Sequence, residues 1–395
     1  MEPKVSFVIP CYKLAHFLND CVNSILAQTY GGFEILIVDD CSPDNTQGIA
    51  AEFKDPRVIY IRNETNLGNV RNYNKGIELS RGRYVWLISA DDCLRSRNVL
   101  QRYVDLLDEN PKVGYVFCPA IVFQEGKECG VLDWMAWPGD RDRILNGREV
   151  VRRAADWCPV CAPTGLVRKE CYQRFGGFPL NLLRTGDWYL WAIFAMRYDV
   201  GYFAEPMAYY RDHTTNMEKT MEKEQTSLFF EEELLVRWLI KKEAEKAGIH
   251  DLSSDFCRGL ATKYASRIVD KEVQNWRYGR TWDAVVEEVR EKASTQSEAD
   301  EILHHMRILM PNFFALAYTQ SGTRHYQTGQ LDQAARAFWS AISSNPRRIT
   351  PWIYFALTEL ERVFGIKLIP LMKPFMTSLI QFLRFQIRYF SPRSR

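Results

Sequence analysis

The stretch VWLISADDCL, residues 85–94, joins a largely apolar run directly to two adjacent carboxylates, Asp91 and Asp92. Its first five residues have the composition of a strand that is buried on both faces. A buried carboxylate that lacks a partner is costly in free energy. Asp91 and Asp92 are therefore expected to face water, a cation or a hydrogen-bond donor at the end of this strand.

The residues around this stretch alternate between strand and helix patterns. Strand-like runs lie at 4–12, 33–42, 57–63 and 84–89, and helical periodicity lies between them at 17–30, 45–53 and 69–80. Apolar strands separated by helices predict an α/β fold with a mostly parallel sheet covered by helices on both faces. Residues 113–123 and 200–213 are each predicted to form one further strand, and residues 185–198 a helix.

Ligands of such sheets bind beyond the carboxyl ends of the strands. Pro10 and Tyr12 follow the first strand, Asp40 follows the second, and Asp91 and Asp92 follow the fourth. The sequence has neither a GxxxxGK[ST] phosphate loop nor a glycine-rich dinucleotide turn after the first strand. A diphosphate could instead be bound by a divalent cation that two carboxylates hold.

Composition narrows the class of protein. The chain has 395 residues, which suggests two or three domains. Its net charge of +2 is too small for the chain as a whole to attract nucleic acid electrostatically. We expect a cytoplasmic protein, because no secretory signal or apolar span of membrane length is seen and the ten cysteines suit a reducing compartment. Cys158 and Cys161 form a CxxC without a second pair for zinc, so we expect buried thiols.

The second half of the chain has helical patterns. Residues 222–248 predict a long amphipathic helix, and residues 318–352 have the spacing of one tetratricopeptide-like unit, with an ordinary helical hairpin as the alternative. The tail, residues 363–395, is apolar and basic without an acidic residue, so it either lies on an anionic membrane surface or packs as a closing helix. The predicted domains are 1–216, 217–310, 311–360 and 361–395.

Several motifs, in order, resemble glycosyltransferase family 2, the inverting GT-A-fold enzymes that use nucleotide-sugars. The resemblance covers residues 4–216 and rests on VSFVIPCYK, SILAQTY, FEILIVDDCSPDNT, NLGNVRNYNKGI, GRYVWLISADDCL, FGGF, TGDWYLW and EPMAYYRDH. Each motif is weak by itself, but the ordered set at family-like spacing is specific. The resemblance implies a GT-A domain followed by a helical region.

The resemblance also implies how the nucleotide is held. Pro10 and Tyr12 would flank the base, Asp40 would accept a hydrogen bond from the ring N–H, and Arg71 would help to hold that end. A carboxylate selects a base that carries a donor, as uracil and thymine do, which favours a UDP- or dTDP-linked donor. The alternatives are that Asp40 caps a helix and that Arg71 is a surface residue.

A metal site is implied at ADD, where Ala90 stands at the first acidic position of the family motif. Asp92 would be the direct metal ligand, Asp91 would hold the ribose or a metal-bound water, and His213 would complete the contacts. Carboxylate with imidazole favours Mn²⁺ or Mg²⁺. The alternatives are helix capping by the two aspartates and an ordinary turn histidine.

Asp187 corresponds to the acidic residue that acts as general base in this family, and capping of the following helix is its alternative role. Trp134, Trp137, Trp157 and Trp188 lie in the segment that faces the acceptor in the family. An aromatic ring packs well on the apolar side of a sugar, although each tryptophan also suits a core.

These features predict an inverting, metal-dependent glycosyltransferase that moves a sugar from a UDP- or dTDP-sugar to a hydroxyl. The acceptor would be a glycan, a lipid-linked precursor or a protein, and the C-terminal helices would bind a protein partner or, through residues 363–395, the inner face of the membrane. The alternative is a catalytically weak scaffold that binds a nucleotide-sugar and a protein partner. A nucleotidyltransferase would normally carry a glycine- and arginine-rich loop after the first strand, where this chain has PCYKLAH.

Overall fold

The computed structural model describes residues 2–132, 137, 140–216, 219–220, 226–274, 279–346, 348, 351–352, 354–356 and 358–359. Its strands are β1 (Val5–Cys11), β2 (Phe33–Asp39), β3 (Val58–Arg62), β4 (Tyr84–Leu87), β5 (Cys93–Leu94), β6 (Val113–Phe117), β7 (Ala120–Gln124), β8 (Lys127–Val131), β9 (Arg143–Leu145), β10 (Leu166–Arg168), β11 (Asp199–Tyr202) and β12 (Ala208–Arg211). Its α-helices are α1 (Ala15–Leu26), α2 (Thr46–Glu52), α3 (Asn69–Leu79), α4 (Val99–Glu109), α5 (Gly147–Arg153), α6 (Lys169–Phe175), α7 (Gly186–Ala195), α8 (Thr226–Lys246), α9 (Ser253–Gln274), α10 (Trp282–Lys292), α11 (Gln296–Gln327) and α12 (Leu331–Ser344). An α/β region followed by an all-α region confirms the predicted fold class.

The main sheet has eight strands in the order β3-β2-β1-β4-β10-β6-β11-β9. Strands β1 to β4 are parallel to one another, whereas β10 is antiparallel to both of its neighbours. The carboxyl ends of β1, β2 and β4 therefore meet at one edge of the sheet, as the sequence predicts.

Both faces of the sheet are covered, which explains why its strands are almost uniformly apolar. In β1, Phe7 and Val8 point to opposite faces and join different buried clusters. Phe7 stacks on Trp86 with 5.3 Å between ring centroids, and Trp86 stacks on Tyr103 of α4 at 4.9 Å. On the other face, Gly76 of α3 lies directly against the Val8 side chain. Burial on both sides fixes the direction in which the strand ends point.

Two runs that the sequence predicts as single strands are each two strands in the structure. Residues 113–123 contain β6 and β7 on either side of Pro119, and residues 200–213 contain β11 and β12 on either side of Pro206. Strand β6 ends shortly before Pro119 and β11 ends before Pro206, and neither proline can supply the N–H that continued pairing on both sides would need. The chain then leaves the main sheet for a second, four-stranded sheet of order β5-β12-β7-β8.

The second sheet determines what lies beside the two aspartates. Strand β5 begins immediately after Asp92 and pairs antiparallel with β12, with Tyr209 opposite Cys93. Continuing this register brings Arg211 and the residues after it toward Asp91. The segment that contains His213 is therefore carried to the carboxyl end of β4 by strand pairing.

The chain divides into two compact units, Met1–Gly259 and Leu260–Arg395, and helix α8 belongs to the first. The predicted boundaries after residues 216, 310 and 360 stay predictions. In the second unit, α11 and α12 form a helical hairpin in which Gly322 lies against the Phe338 ring. The tetratricopeptide assignment of this hairpin also stays a prediction.

Among the described residues, no helix combines the length and the apolar character needed to span a bilayer. The tail at 363–395, for which membrane contact or a closing helix is predicted, lies outside the described residues.

Replacing Gly147 with alanine is expected to destabilise the first unit by about 1–3 kcal/mol through overpacking. Gly147 begins α5, and a β-carbon there would lie 2.0 Å from the Ala195 carbonyl oxygen and 2.2 Å from that of Tyr198. Backbone atoms on both sides leave little room for adjustment. Urea denaturation measures the change, with Gly31→Ala as the matched control because no atom lies within 4 Å of a β-carbon at Gly31. Equal stability of the two variants would contradict this packing.

Candidate active site

A cavity of about 790 Å³ opens at the carboxyl ends of β1, β2 and β4. Five of the residues predicted to bind nucleotide or metal line this cavity together: Pro10, Tyr12, Asp40, Asp91 and His213. The chain segments that supply them are more than 200 residues apart at the extremes, so the fold itself assembles the site.

Asp40 anchors the loop between β3 and α3. Its Oδ1 accepts hydrogen bonds from Asn63 Nδ2 and Leu67 N, both at 2.8 Å, and its Oδ2 accepts from Gly68 N at 2.9 Å. A carboxylate has about four lone-pair sites, so one acceptor position is left over from these three bonds. Asp40 can therefore hold this loop and still accept one further hydrogen bond.

Tyr12 lies at the rim of the cavity and is 40% exposed. The next residue, Lys13, has φ at 60° and donates its backbone N–H to Ser42 Oγ at 3.1 Å. The loop after β1 is thus fastened to the loop after β2, and the Tyr12 ring is held where a flat ligand can stack on it.

Asp91 and His213 lie side by side in the lining of the larger cavity. Asp91 Oδ2 lies 3.0 Å from His213 Nε2, and His213 Nδ1 lies 2.9 Å from Thr215 Oγ1. The Phe17 ring packs against the imidazole with 4.8 Å between centroids. Asp91 Oδ1 is buried, and no hydrogen-bond partner for it is found in the described part of the chain. This buried carboxylate oxygen therefore has an acceptor position that the described residues leave unfilled.

Asp92 has different surroundings from Asp91. Its Oδ1 accepts from Arg211 N at 2.9 Å, and the Arg211 guanidinium donates to the Asp91 carbonyl at 2.7 Å and to Asp20 Oδ2 at 2.9 Å. Burial raises the pKa of Asp92 well above its usual value, and the neighbouring charge of Asp91 raises it further. Arg211, which the sequence did not single out, thus fixes both aspartates against β12.

A smaller cavity of about 130 Å³ is lined by Asp92 and Asp187. It shares Pro10, Tyr73 and Ser89 with the larger cavity, so the two adjoin. Burial raises the pKa of Tyr73 well above its usual value, and the charge of Asp91 adds to this effect. Tyr73 is therefore a neutral side chain that borders both the cavity lined by Asp91 and the cavity lined by Asp187.

Asp187 lies in the first turn of α7. Its Oδ1 accepts from Trp188 N at 2.7 Å, whereas the N-cap position of the helix is Thr185. A carboxylate in the first helical turn is stabilised by the helix dipole. The side chain lines the smaller cavity and is partly exposed there.

Other predicted residues are not brought to these cavities. Arg71 is exposed on α3 and lines neither cavity. Trp188 is only 5% exposed and donates its indole N–H to the Ala154 carbonyl at 3.0 Å, while Trp157 is 46% exposed beside Arg153. The spacing of aromatic residues cannot separate a core tryptophan from one at a site.

Trp137 is also buried, with its indole N–H donating to the Pro159 carbonyl at 3.2 Å, and Trp134 lies outside the described residues. Burial raises the pKa of the Cys158 thiol well above its usual value. Both cysteines are thiols, and Cys158 is half-buried whereas Cys161 is buried.

The donor set at Asp91 and His213 suits a divalent cation. No group of three or more His, Cys, Asp and Glu side chains in the described ranges is arranged to hold a metal. Two protein ligands suffice where a phosphate supplies the others, because Mg²⁺ at such sites uses one or two carboxylates together with substrate phosphates. The partnerless Asp91 oxygen and the adjacent imidazole fit Mn²⁺ or Mg²⁺ in that role.

Comparisons with known proteins show which proteins this chain is similar to. Residues 6–174 match the model of the family described as Glycosyl transferase family 2. An uncharacterized glycosyltransferase of Haemophilus influenzae is 24% identical over 216 residues, which cover 53% of this chain and 69% of that protein. The putative teichuronic acid biosynthesis glycosyltransferase TuaG of Bacillus subtilis is 37% identical over 93 residues, 23% of this chain and 37% of TuaG.

The fold has a counterpart among solved structures. A crystal structure of S. aureus TarS 1-349 in complex with UDP has a TM-score of 0.55 at 13% identity and covers 88% of this chain and 93% of that one. At this level of identity the likeness concerns the fold, which is the GT-A fold. Fold, family match and relatives define the class of protein: this chain is a glycosyltransferase. The match to the model of glycosyl transferase family 2 lies at residues 6–174, within the first unit.

Proposed function

We propose that this glycosyltransferase moves a sugar from a UDP- or dTDP-linked donor to a hydroxyl, with inversion and with a divalent cation. The observation that carries the proposal is the pair of adjoining cavities. The larger is lined by Asp91 and His213, and the smaller, which shares Tyr73 with it, is lined by Asp187. The donor would occupy the first cavity and the acceptor hydroxyl would enter through the second.

The nucleoside would bind between Tyr12 and Asp40. Tyr12 offers a half-open aromatic face for the base, and the remaining acceptor position of Asp40 suits a ring N–H. Uracil and thymine carry such an N–H between two carbonyls. Crystal structures of S. aureus TarS contain UDP and UDP-GlcNAc, which supports a uridine donor here.

Asp91 and His213 would hold the cation beside the diphosphate. Mn²⁺ or Mg²⁺ bound there supplies charge neutralisation for the leaving nucleoside diphosphate. His213 is oriented for this by its contacts with Thr215 and Phe17. Asp92, whose Oδ1 accepts from Arg211 N, would support the site from the smaller cavity. The environment of Asp91 favours it over Asp92 as the direct ligand, in contrast to the sequence-based assignment.

Asp187 would act as the general base. The acceptor oxygen forms a bond to the anomeric carbon as the bond from that carbon to the diphosphate oxygen breaks. Inversion requires the acceptor to approach from the side opposite the leaving group. The hydroxyl proton becomes strongly acidic during this step, and the partly exposed Asp187 carboxylate can accept it.

The acceptor remains a class rather than a compound: a glycan, a lipid-linked precursor or a protein. Membrane contact through residues 363–395 and a protein partner for the C-terminal helices remain proposals that follow from the sequence. A catalytically weak scaffold would bind the donor without turning it over. Release of UDP from a bound donor therefore separates the enzyme from the scaffold.

Thermal unfolding with a panel of nucleotides is the first test of the proposed function. UDP at 100 times its Kd in the presence of Mn²⁺ stabilises the folded chain by about 2.7 kcal/mol. For a unit of this size that stabilisation corresponds to a rise in Tm of about 5 °C. GDP and CMP, as matched controls, should give smaller shifts, and chelation of Mn²⁺ should remove most of the UDP effect. A larger shift with GDP than with UDP would contradict the assignment of Asp40.

A further inference from the structure

The loop that precedes Asp187 is fastened to helix α8 by one buried carboxylate. Glu232 of α8 is fully buried, with 0% of its surface exposed. Its Oε1 accepts from Leu183 N at 2.9 Å, and its Oε2 accepts from Arg184 N at 2.8 Å and Thr185 N at 3.1 Å. The Thr185 hydroxyl also lies 3.3 Å from Oε2. Three consecutive backbone N–H groups thus converge on a single side chain.

These bonds determine where α7 begins. Thr185 is the residue immediately before α7, and its carbonyl accepts the N–H of Tyr189. Hydrogen bonds to a charged acceptor are shorter and roughly twice as strong as neutral ones. Because Asp187 follows Thr185 by two positions in a rigid helical turn, fixing the loop also fixes the Asp187 carboxylate in the smaller cavity.

The same loop is held from the opposite side by α3. Asn69 Nδ2 donates to the Leu183 carbonyl at 2.9 Å. Asn69 lines the larger cavity and directly follows Gly68, whose N–H is bound by Asp40. The loop therefore lies between the helix that borders the nucleotide end of the site and α8.

Arg184 forms a second interaction with α8. Its guanidinium donates to Glu233 Oε1 at 3.0 Å, and Glu233 is the neighbour of Glu232 in the sequence. Neither glutamate lies within the family match at residues 6–174 or within the predicted catalytic domain, residues 1–216. Helix α8 is nonetheless part of the same compact unit as the two cavities.

We propose that Glu232 is a positioning residue for Asp187, so that α8 is an integral part of the active site. The proposal rests on the proposed role of Asp187 as the base.

Glutamine in place of Glu232 keeps one acceptor oxygen and places an amide NH₂ against backbone donors. At least one of the three N–H groups then loses its acceptor, and the loop shifts to regain one. A displacement of about 1 Å at a reacting group can cost about 100-fold in rate.

The test compares Glu232→Gln with Glu34→Gln in the full chain. Glu34 is a matched control because it is 2% exposed, accepts from the backbone N–H of Arg81 and from Ser6 Oγ, and lines neither cavity. Release of UDP from UDP-GlcNAc with Mn²⁺ and water as acceptor gives the rate, calorimetry gives the UDP affinity, and Tm reports stability. Glu232→Asp, which keeps the charge on a shorter side chain, provides a milder change should Glu232→Gln unfold.

We expect Glu232→Gln to lower the rate of UDP release about 10- to 100-fold, with UDP affinity within about threefold of wild type. Glu34→Gln should lose a similar amount of Tm and keep its rate, and Glu232→Asp should have an intermediate rate. A Glu232→Gln variant with the rate of Glu34→Gln would overturn the proposal. Asp187→Asn, measured in parallel, separates the two ideas: if it lowers the rate and Glu232→Gln does not, the proposed base stands and the positioning role is wrong.

Discussion

Replacement of Asp187 by asparagine is expected to lower sugar transfer and UDP release by about 10²- to 10⁴-fold, the range of a lost general base. Asparagine has nearly the same shape and keeps an oxygen that can accept from Trp188 N, as Asp187 Oδ1 does at 2.7 Å. The start of α7 should therefore be preserved while the proton acceptor is lost. UDP affinity should stay within about threefold of wild type, because the nucleotide end of the site is formed by other residues.

Calorimetry with UDP and a coupled assay of UDP release measure the two quantities. Asp55→Asn is a suitable control, since Asp55 pairs with Arg57 before β3 and lines neither cavity. A rate for Asp187→Asn within threefold of wild type would show that another group accepts the proton. A parallel loss of rate and UDP affinity would instead indicate a collapsed site.

Replacement of Asp91 by asparagine is expected to weaken Mn²⁺-dependent UDP binding by about 100-fold or more. Changes beside a metal ligand already cost about 10- to 100-fold in affinity, and Asp91 is proposed as a ligand itself. The variant removes the negative charge next to His213. The Arg211 guanidinium can still donate to the backbone carbonyl of residue 91. Titration of UDP binding against Mn²⁺ concentration measures this effect.

Asp92→Asn is the variant to compare with Asp91→Asn. Asp92 lines the smaller cavity and its Oδ1 accepts from Arg211 N, a bond that the asparagine oxygen can retain. Its effect on Mn²⁺-dependent binding should be less than about tenfold, given that the Asp91 carboxylate remains. If Asp92→Asn removed the Mn²⁺ dependence and Asp91→Asn did not, the assignment from the sequence would be right and the one from the structure wrong.

The edge of the sheet could be predicted from local patterns. Apolar runs that end in Pro10-Cys11-Tyr12, Asp39-Asp40 and Asp91-Asp92 indicate parallel strands whose carboxyl ends meet, and they do meet in the larger cavity. His213 was found only through the resemblance to a family, because a single histidine after a strand carries little local signal.

The choice between Asp91 and Asp92 could not be made from the sequence. Adjacent residues at the end of a strand point in different directions, and the direction depends on the pairing of β5 with β12. That pairing forms because the chain leaves the main sheet between β11 and β12, in the segment that contains Pro206.

Contacts between distant parts of the chain could not be predicted from the sequence either. Glu232 is one acid in the run of three at 231–233, and nothing in this pattern indicates that its side chain binds a loop almost fifty residues earlier. Arg71 and Trp188 illustrate the opposite case, in which a residue type that suits a site lies away from both cavities. Their residue types suit a binding site, but α3 turns Arg71 toward solvent and the contact with Ala154 retains Trp188 in the core.

The most direct measurement of the central claim is anomalous diffraction at the manganese edge from crystals grown with UDP and Mn²⁺. A peak beside Asp91 and His213, adjoining a diphosphate in the larger cavity with uracil next to Asp40, is the expected result. A manganese peak away from Asp91, or UDP bound outside this cavity, would contradict it.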